Sequence, residues 1–218
     1  MRPGPPQGCL ITLEGIEGAG KSTQCETLVA TLAELGIPFL QTREPGGSPI
    51  AERIRALLLD PEQEGLCAQA ELLLIFAARA EHLAQSVRPA LEAGTWVLSD
   101  RFTDASFAYQ GGGRGISAES IAGLETLVQG ALRPDLTFLF DLPAELGLKR
   151  AKARADLDRF EAETLGFFER ARQVYLQRAK LDPARFRVLD ATQDVEQVAR
   201  HVREALVDFV ARRPFSGQ

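Results

Sequence analysis

The chain has 218 residues, 45% of them hydrophobic, enough to bury one substantial core without dividing into two domains. A net charge of −5 and a pI near 5.2 argue against nucleic acid as the main partner, because that binding relies on neutralising backbone phosphates. Cys9, Cys25 and Cys67 form no CxxC pair and no apolar run is long enough to span a bilayer, so a cytoplasmic protein with reduced thiols and no membrane partner is expected.

Residues 1–8, rich in Pro and Gly, read as a disordered tail before a single domain over 9–212, with 213–218 as a C-terminal tail. The apolar run 9–14 leads into Gly15-Ile16-Glu17-Gly18-Ala19-Gly20-Lys21-Ser22, a phosphate-binding loop between a strand and a helix-forming stretch. Its glycines let successive backbone N–H groups turn inward around an anion. Lys21 reaches the β and γ phosphates of a nucleoside triphosphate, Ser22 is a magnesium ligand, and the helix adds its positive end. The loop alone does not separate a kinase from an ATPase or a GTPase. The chain contains no asparagine, however, and so lacks the Asn-Lys-x-Asp element with which Ras-type GTPases read guanine.

Further apolar runs at 37–42, 95–99, 136–141 and 186–190 alternate with helix-compatible stretches, among them Glu71 to Ala93, which ends at Gly94, and Val195 to Val210. The alternation predicts an α/β fold with a five-stranded parallel sheet flanked by helices on both faces. Ligands in such sheets collect at the carboxyl ends of strands. After the second run stands Arg43-Glu44-Pro45-Gly46-Gly47, a turn by composition whose position also makes Arg43 a candidate phosphate contact. The third run ends in Asp100-Arg101. An acid followed by a cation suits metal coordination plus neutralisation of an acceptor phosphate, and so transfer rather than hydrolysis; a surface ion pair is the plainer alternative. Tyr109-Gln110-Gly111-Gly112-Gly113-Arg114 joins a ring, an amide and a cation to a glycine run that could read a nucleobase. The charge-dense stretch Lys149 to Arg159 puts Arg150 and Arg154 on one helix face. It reads as a solvated face or as a lid, about 147–160, closing over phosphates. His82 and His201 match no motif and read as structural or solvated.

Taken in order, the phosphate loop, Arg-Glu-Pro-Gly-Gly, Phe-Ala-Ala-Arg, Asp-Arg-Phe, Ala-Tyr-Gln-Gly-Gly-Gly-Arg and the basic segment resemble the bacterial thymidylate kinases, over about residues 9 to 210. The resemblance implies a phosphate-loop nucleoside monophosphate kinase fold and transfer of the γ-phosphate of ATP to thymidine 5′-monophosphate (dTMP), with Mg2+ and as a homodimer. By the same resemblance, residues Gly15 to Thr23 hold ATP, Ser22 and Asp100 the metal, and Arg43 and Arg101 the acceptor phosphate, near Pro45. Glu14 matches an acidic position near the acceptor. Arg79, Ser106 and Gln110 match hydrogen-bonding partners of thymine, and Tyr109 matches the ring that disfavours a ribose. The loop carries Glu17 rather than an arginine, which assigns the transferring phosphoryl to the lid arginines Arg150, Arg154 and Arg159. Many members place the thymine-stacking phenylalanine four residues before the arginine corresponding to Arg79. Here that position is Ile75, and Phe76 is the substitute candidate.

Overall fold

The structure is a computed structural model that describes residues 8–60, 66–153, 159–160 and 163–213. Five parallel strands lie in the order β2-β3-β1-β4-β5: β1 (Leu10–Glu14), β2 (Phe39–Arg43), β3 (Trp96–Asp100), β4 (Leu136–Asp141) and β5 (Phe186–Asp190). The central β1 is buried along its whole length, as a strand covered on both faces must be, whereas the edge strand β2 is only partly covered. The register sets both Leu13 and Arg43 opposite Asp100, so the carboxyl ends of β1, β2 and β3 are level.

The helices are α1 (Lys21–Glu34), α2 (Pro49–Leu59), α3 (Ala68–His82), α4 (Arg88–Glu92), α5 (Thr103–Ser106), α6 (Ala118–Gln129), α7 (Ala144–Lys152), α8 (Leu165–Leu181) and α9 (Val195–Ala211). A π-helical stretch, Leu83–Val87, joins α3 to α4, so the helix expected from 71 runs from 68 to 92. A second π-helical stretch, Phe107–Gly113, continues α5 and carries Tyr109 and Gln110.

The run expected at 37–42 begins as a strand only at Phe39. Gly36, at φ 67, turns the end of α1 so that the Ile37 N–H reaches Leu32 O at 3.0 Å; Ile37 therefore caps the helix before the strand begins. Within the stretch assigned to the first tail, Gly8 donates its N–H to Leu91 O at 2.9 Å, and residues 1–7 lie outside the described residues. At the other end Arg213 pairs with Asp135. Of the expected lid, residues 154–158 lie outside the described residues.

Candidate active site

Strand order reverses beside β1, and the phosphate loop leaves its carboxyl end at that point, where α/β sheets open a crevice. The loop is held by its own backbone. Gly20 takes φ 83 as it enters α1, and at Gly18 an added Cβ would stand 2.1 Å from Gly147 O of α7. No residue with a side chain fits at Gly18 without moving α7. Lys21 Nζ donates to Gly15 O at 3.0 Å and Ile16 O at 3.1 Å, leaving its third proton for a ligand. Burial, reinforced by the nearby Arg101, pulls the Lys21 pKa down to about 8.

The loop borders a cleft of about 270 Å³ whose walls include Glu17 to Ser22, Pro45, Arg79, Asp100, Arg101, Ser106, Tyr109 and Gln110. Residues predicted for the two substrates thus share one space, joined by Glu17. Its Oε1 accepts from Arg101 Nη2 at 2.6 Å and its Oε2 from the Tyr109 hydroxyl. Arg101, at φ 69 a non-glycine residue in the left-handed region, also donates Nη1 to Gly15 O at 3.0 Å and to the Tyr175 hydroxyl at 3.2 Å. Its guanidinium lies 4.7 Å from the centre of the Tyr109 ring.

Glu14 does not line the cleft. It is fully buried beneath it, with Oε1 accepting the Phe102 N–H at 2.8 Å and Oε2 the Tyr175 hydroxyl at 2.7 Å. Burial first and Asp104 second push its pKa up to about 8. Its place is under the Arg101-Phe102 backbone, which it holds in position. Asp100 Oδ1 is buried and has no hydrogen-bond partner among the described residues. Such an oxygen is costly unless a cation or water meets it, and with the Ser22 hydroxyl on the same cleft it suits a hard cation that takes its other ligands from phosphate oxygens and water.

The wall of the cleft opposite the phosphate loop, where acceptor contacts are expected, is assembled by side chains from distant parts of the chain. Arg79, 2% exposed, donates Nε to Glu44 Oε2 at 2.6 Å and Nη2 to Phe102 O at 3.2 Å and Ser106 Oγ at 3.1 Å. Its guanidinium lies over the Phe76 and Phe102 rings, 4.7 and 5.1 Å from their centres. Gln110 Nε2 donates to Glu71 Oε1 at 2.9 Å. The two positions considered for the thymine-stacking side chain differ in placement. Ile75 faces the cleft, whereas Phe76 packs with Leu72, Phe107 and Ile121 behind it.

Three predicted cations have other partners. Arg43, half exposed, pairs with Glu52 at 2.8 Å and does not line the cleft. Arg150 Nη1 donates to Ala191 O at 2.9 Å. Arg159 donates Nε to Leu58 O at 2.7 Å and Nη2 to Glu71 Oε2 at 2.8 Å, clamping its segment to α2 and α3. Arg154 lies outside the described residues, and Thr23 is exposed at the start of α1, off the cleft wall. Glu44, Arg55 and Phe160 also line the cleft without a local mark in the sequence. Glu44 sits inside a motif distinguished by its arginine, and Phe160 ends the basic segment; Arg55, in mid-helix, carries no signal.

The thymidylate kinase family model matches residues 13–202. A thymidylate kinase of Pseudomonas putida (strain GB-1) is 60% identical over 205 residues, covering 94% of this chain and 98% of its own length. One of Ectopseudomonas mendocina is 64% identical over 191 residues, 88% of this chain and 91% of its own. The crystal structure of thymidylate kinase from Ehrlichia chaffeensis superposes with a TM-score of 0.74 at 33% identity, covering 93% of this chain and 99% of that one. With a phosphate loop opening on a cleft that Arg79, Ser106 and Gln110 also line, and with these likenesses spanning nearly its whole length, the chain belongs to the thymidylate kinase family.

Proposed function

We propose that this cleft transfers the γ-phosphate of ATP to dTMP, giving dTDP and ADP on the route to dTTP, within one domain spanning 9–212. The observation that carries the reading is the meeting of Lys21 and Glu17 from the donor loop with Arg101 and Tyr109 in one space. A hydrolase would need a group to activate water; here the residue after Asp100 is a cation, suited to an anionic acceptor.

The acceptor phosphate is already ionised, so no general base is required, and transfer rests on alignment and charge. Lys21 neutralises the donor phosphates, and Arg101, buttressed by Gly15 O and Tyr175, neutralises the phosphoryl passing between the substrates. Ser22 and Asp100 would hold Mg2+, which when bound neutralises charge on the β and γ phosphates. Arg79, Ser106 and Gln110 recognise thymine against the Ile75 wall, and Tyr109 lies under the sugar. For a lid arginine to act, Arg150 or Arg159 must exchange its present partner for phosphate. A homodimer is supported by neighbouring helices α3 and α6, which present Leu73 (57% exposed) and Leu127 (79% exposed) to solvent. A cytoplasmic setting is supported by three free cysteines; among the described residues no helix is long and apolar enough to cross a membrane.

A coupled ADP-release assay over a panel of nucleoside monophosphates tests the reading. dTMP should be the best acceptor, with dUMP weaker by roughly 10- to 200-fold, the range one methyl allows. Tyr109→Ala should raise the relative rate with ribonucleotides, and an unchanged ratio would remove that assignment. Turnover independent of any acceptor, or faster with another base, would overturn the function.

A further inference from the structure

His82, the last residue of α3, is fully buried and matches no motif, yet it contacts Thr42 near the end of β2 and Glu44 and Gly47 of the turn that follows. Its Nδ1 lies 3.0 Å from Glu44 Oε1 and its Nε2 2.7 Å from Thr42 Oγ1. The ring also abuts Gly47: an added Cβ there would come 2.4 Å from ring atoms Cδ2 and Nε2. One turn further on, Ser86 Oγ donates to Gly47 O at 2.8 Å. The turn that supplies Glu44 and Pro45 to the cleft wall is therefore seated on this end of α3.

A carboxylate only accepts hydrogen bonds, so Nδ1 carries a proton and donates it to Glu44. Glu44 gives its other oxygen to Arg79 Nε at 2.6 Å. With both oxygens engaged the carboxylate cannot rotate, and it holds the Arg79 guanidinium in place over the Phe76 and Phe102 rings. Without His82 one buried Glu44 oxygen would lose its partner, and the carboxylate would be free to turn about its last torsion.

We propose that His82 is a positioning residue for recognition of the acceptor base, acting through Glu44 on Arg79. The inference rests on the reading of Arg79 as a thymine contact, and the two are separable by experiment. Steady-state kinetics of the full chain, with melting curves as a check on folding, would compare Arg79→Ala, His82→Leu, His82→Asn and His82→Gln. His82→Leu should raise the KM for dTMP about five- to tenfold, as loss of one hydrogen bond to a charged group allows, with the KM for ATP and the kcat at saturating dTMP unchanged. His82→Asn, whose amide N–H replaces Nδ1, should restore the dTMP KM. His82→Gln, whose amide reaches toward Thr42 in place of Nε2, should not. Should His82→Leu fail to fold, the Asn and Gln pair decides alone. Equal behaviour of that pair, or parallel rises in the KM for dTMP and ATP, would overturn the inference. If Arg79→Ala raises the dTMP KM while the His82 variants do not, the inference falls and the Arg79 reading stands. If Arg79→Ala leaves that KM unchanged, both fall.

Discussion

The two halves of the cleft are built in opposite ways. On the donor side Lys21 bonds to carbonyls five and six residues back in the same loop, and the loop's shape follows from its glycines. On the acceptor side Arg79 joins residues 23, 27 and 35 positions away, and Glu71 gathers Gln110, Arg114 and Arg159 from as far as 88. One half is local backbone geometry. The other is a network of buried charges that exists only once the chain has folded, and its stability depends on every carboxylate in it staying ionised.

Acid should therefore break the acceptor half first, and this is the largest effect expected. Burial alone would raise the pKa values of Glu44 and Glu71, but their partners outweigh it and hold both below the ordinary carboxylate range: Arg79 with His82, and Arg114 with Gln110. A depressed native pKa gives stability that is present above the unfolded value and lost as pH falls through the folded one. Glu14 runs the other way. Raised from 4.5 to about 8, its contribution is complete below 4.5 and is lost as pH rises through about 8. Thermal melts should show stability falling steeply below pH about 4. Glu14→Gln should flatten its dependence between 4.5 and 8 while leaving the acid limb in place. An acid limb unchanged in Glu71→Gln would show that the network does not carry it.

Next in size is Lys21→Ala. It removes a buried cation from a loop whose backbone is set by Gly15, Gly18 and Gly20, so the fold should survive while kcat falls about 10³-fold, the order expected for loss of a preorganised charge at a transferring phosphoryl. Circular dichroism and ADP release on the same sample would separate the two. Wild-type turnover in this variant would sink the mechanism.

The same contrast decides what could be read from the sequence. The strands were legible as apolar runs because a doubly covered parallel sheet leaves no polar face, and the phosphate loop because its glycines are demanded by backbone angles. The acceptor pocket was legible only in parts. Arg79, Ser106 and Gln110 were named individually, but their partners Glu44 and Glu71 sit on other elements, and nothing local marks a carboxylate as the counter-charge of an arginine 35 residues away. His82 carries no local mark for the same reason, its partners Glu44 and Thr42 lying about 40 residues back. Periodicity could not choose between Ile75 and Phe76, because adjacent helix positions differ by about 100° and both fall on the buried side of α3.

That choice supplies a graded test. Phe76→Ala empties a site behind the pocket that also supports one face of Arg79, and should cost roughly 3–5 kcal/mol in denaturant unfolding. Ile75→Ala trims the cleft wall itself. It should raise the dTMP KM by about three- to tenfold at a smaller stability cost, since a few methyl groups of contact are worth about 1 kcal/mol each. Reversal of the two phenotypes would return the stacking role to Phe76.

The smallest effect belongs to Arg43, which is where the two modes of construction meet. It stands level with Asp100 at the end of β2, as a phosphate contact should, but its guanidinium is turned to Glu52 in solvent. An exposed pair of this kind is worth only about 0–1 kcal/mol, so exchanging Glu52 for a dianionic phosphate costs little and needs no movement of the core. Arg43→Ala should accordingly leave the melting temperature within about 2 °C of wild type while raising the KM for dTMP and leaving that for ATP unchanged. If the variant loses stability but keeps its dTMP KM, Arg43 belongs to the turn, through Glu52 and the Gly47 N–H that Glu52 also holds at 2.8 Å, and the acceptor phosphate rests on Arg101 alone among these two cations.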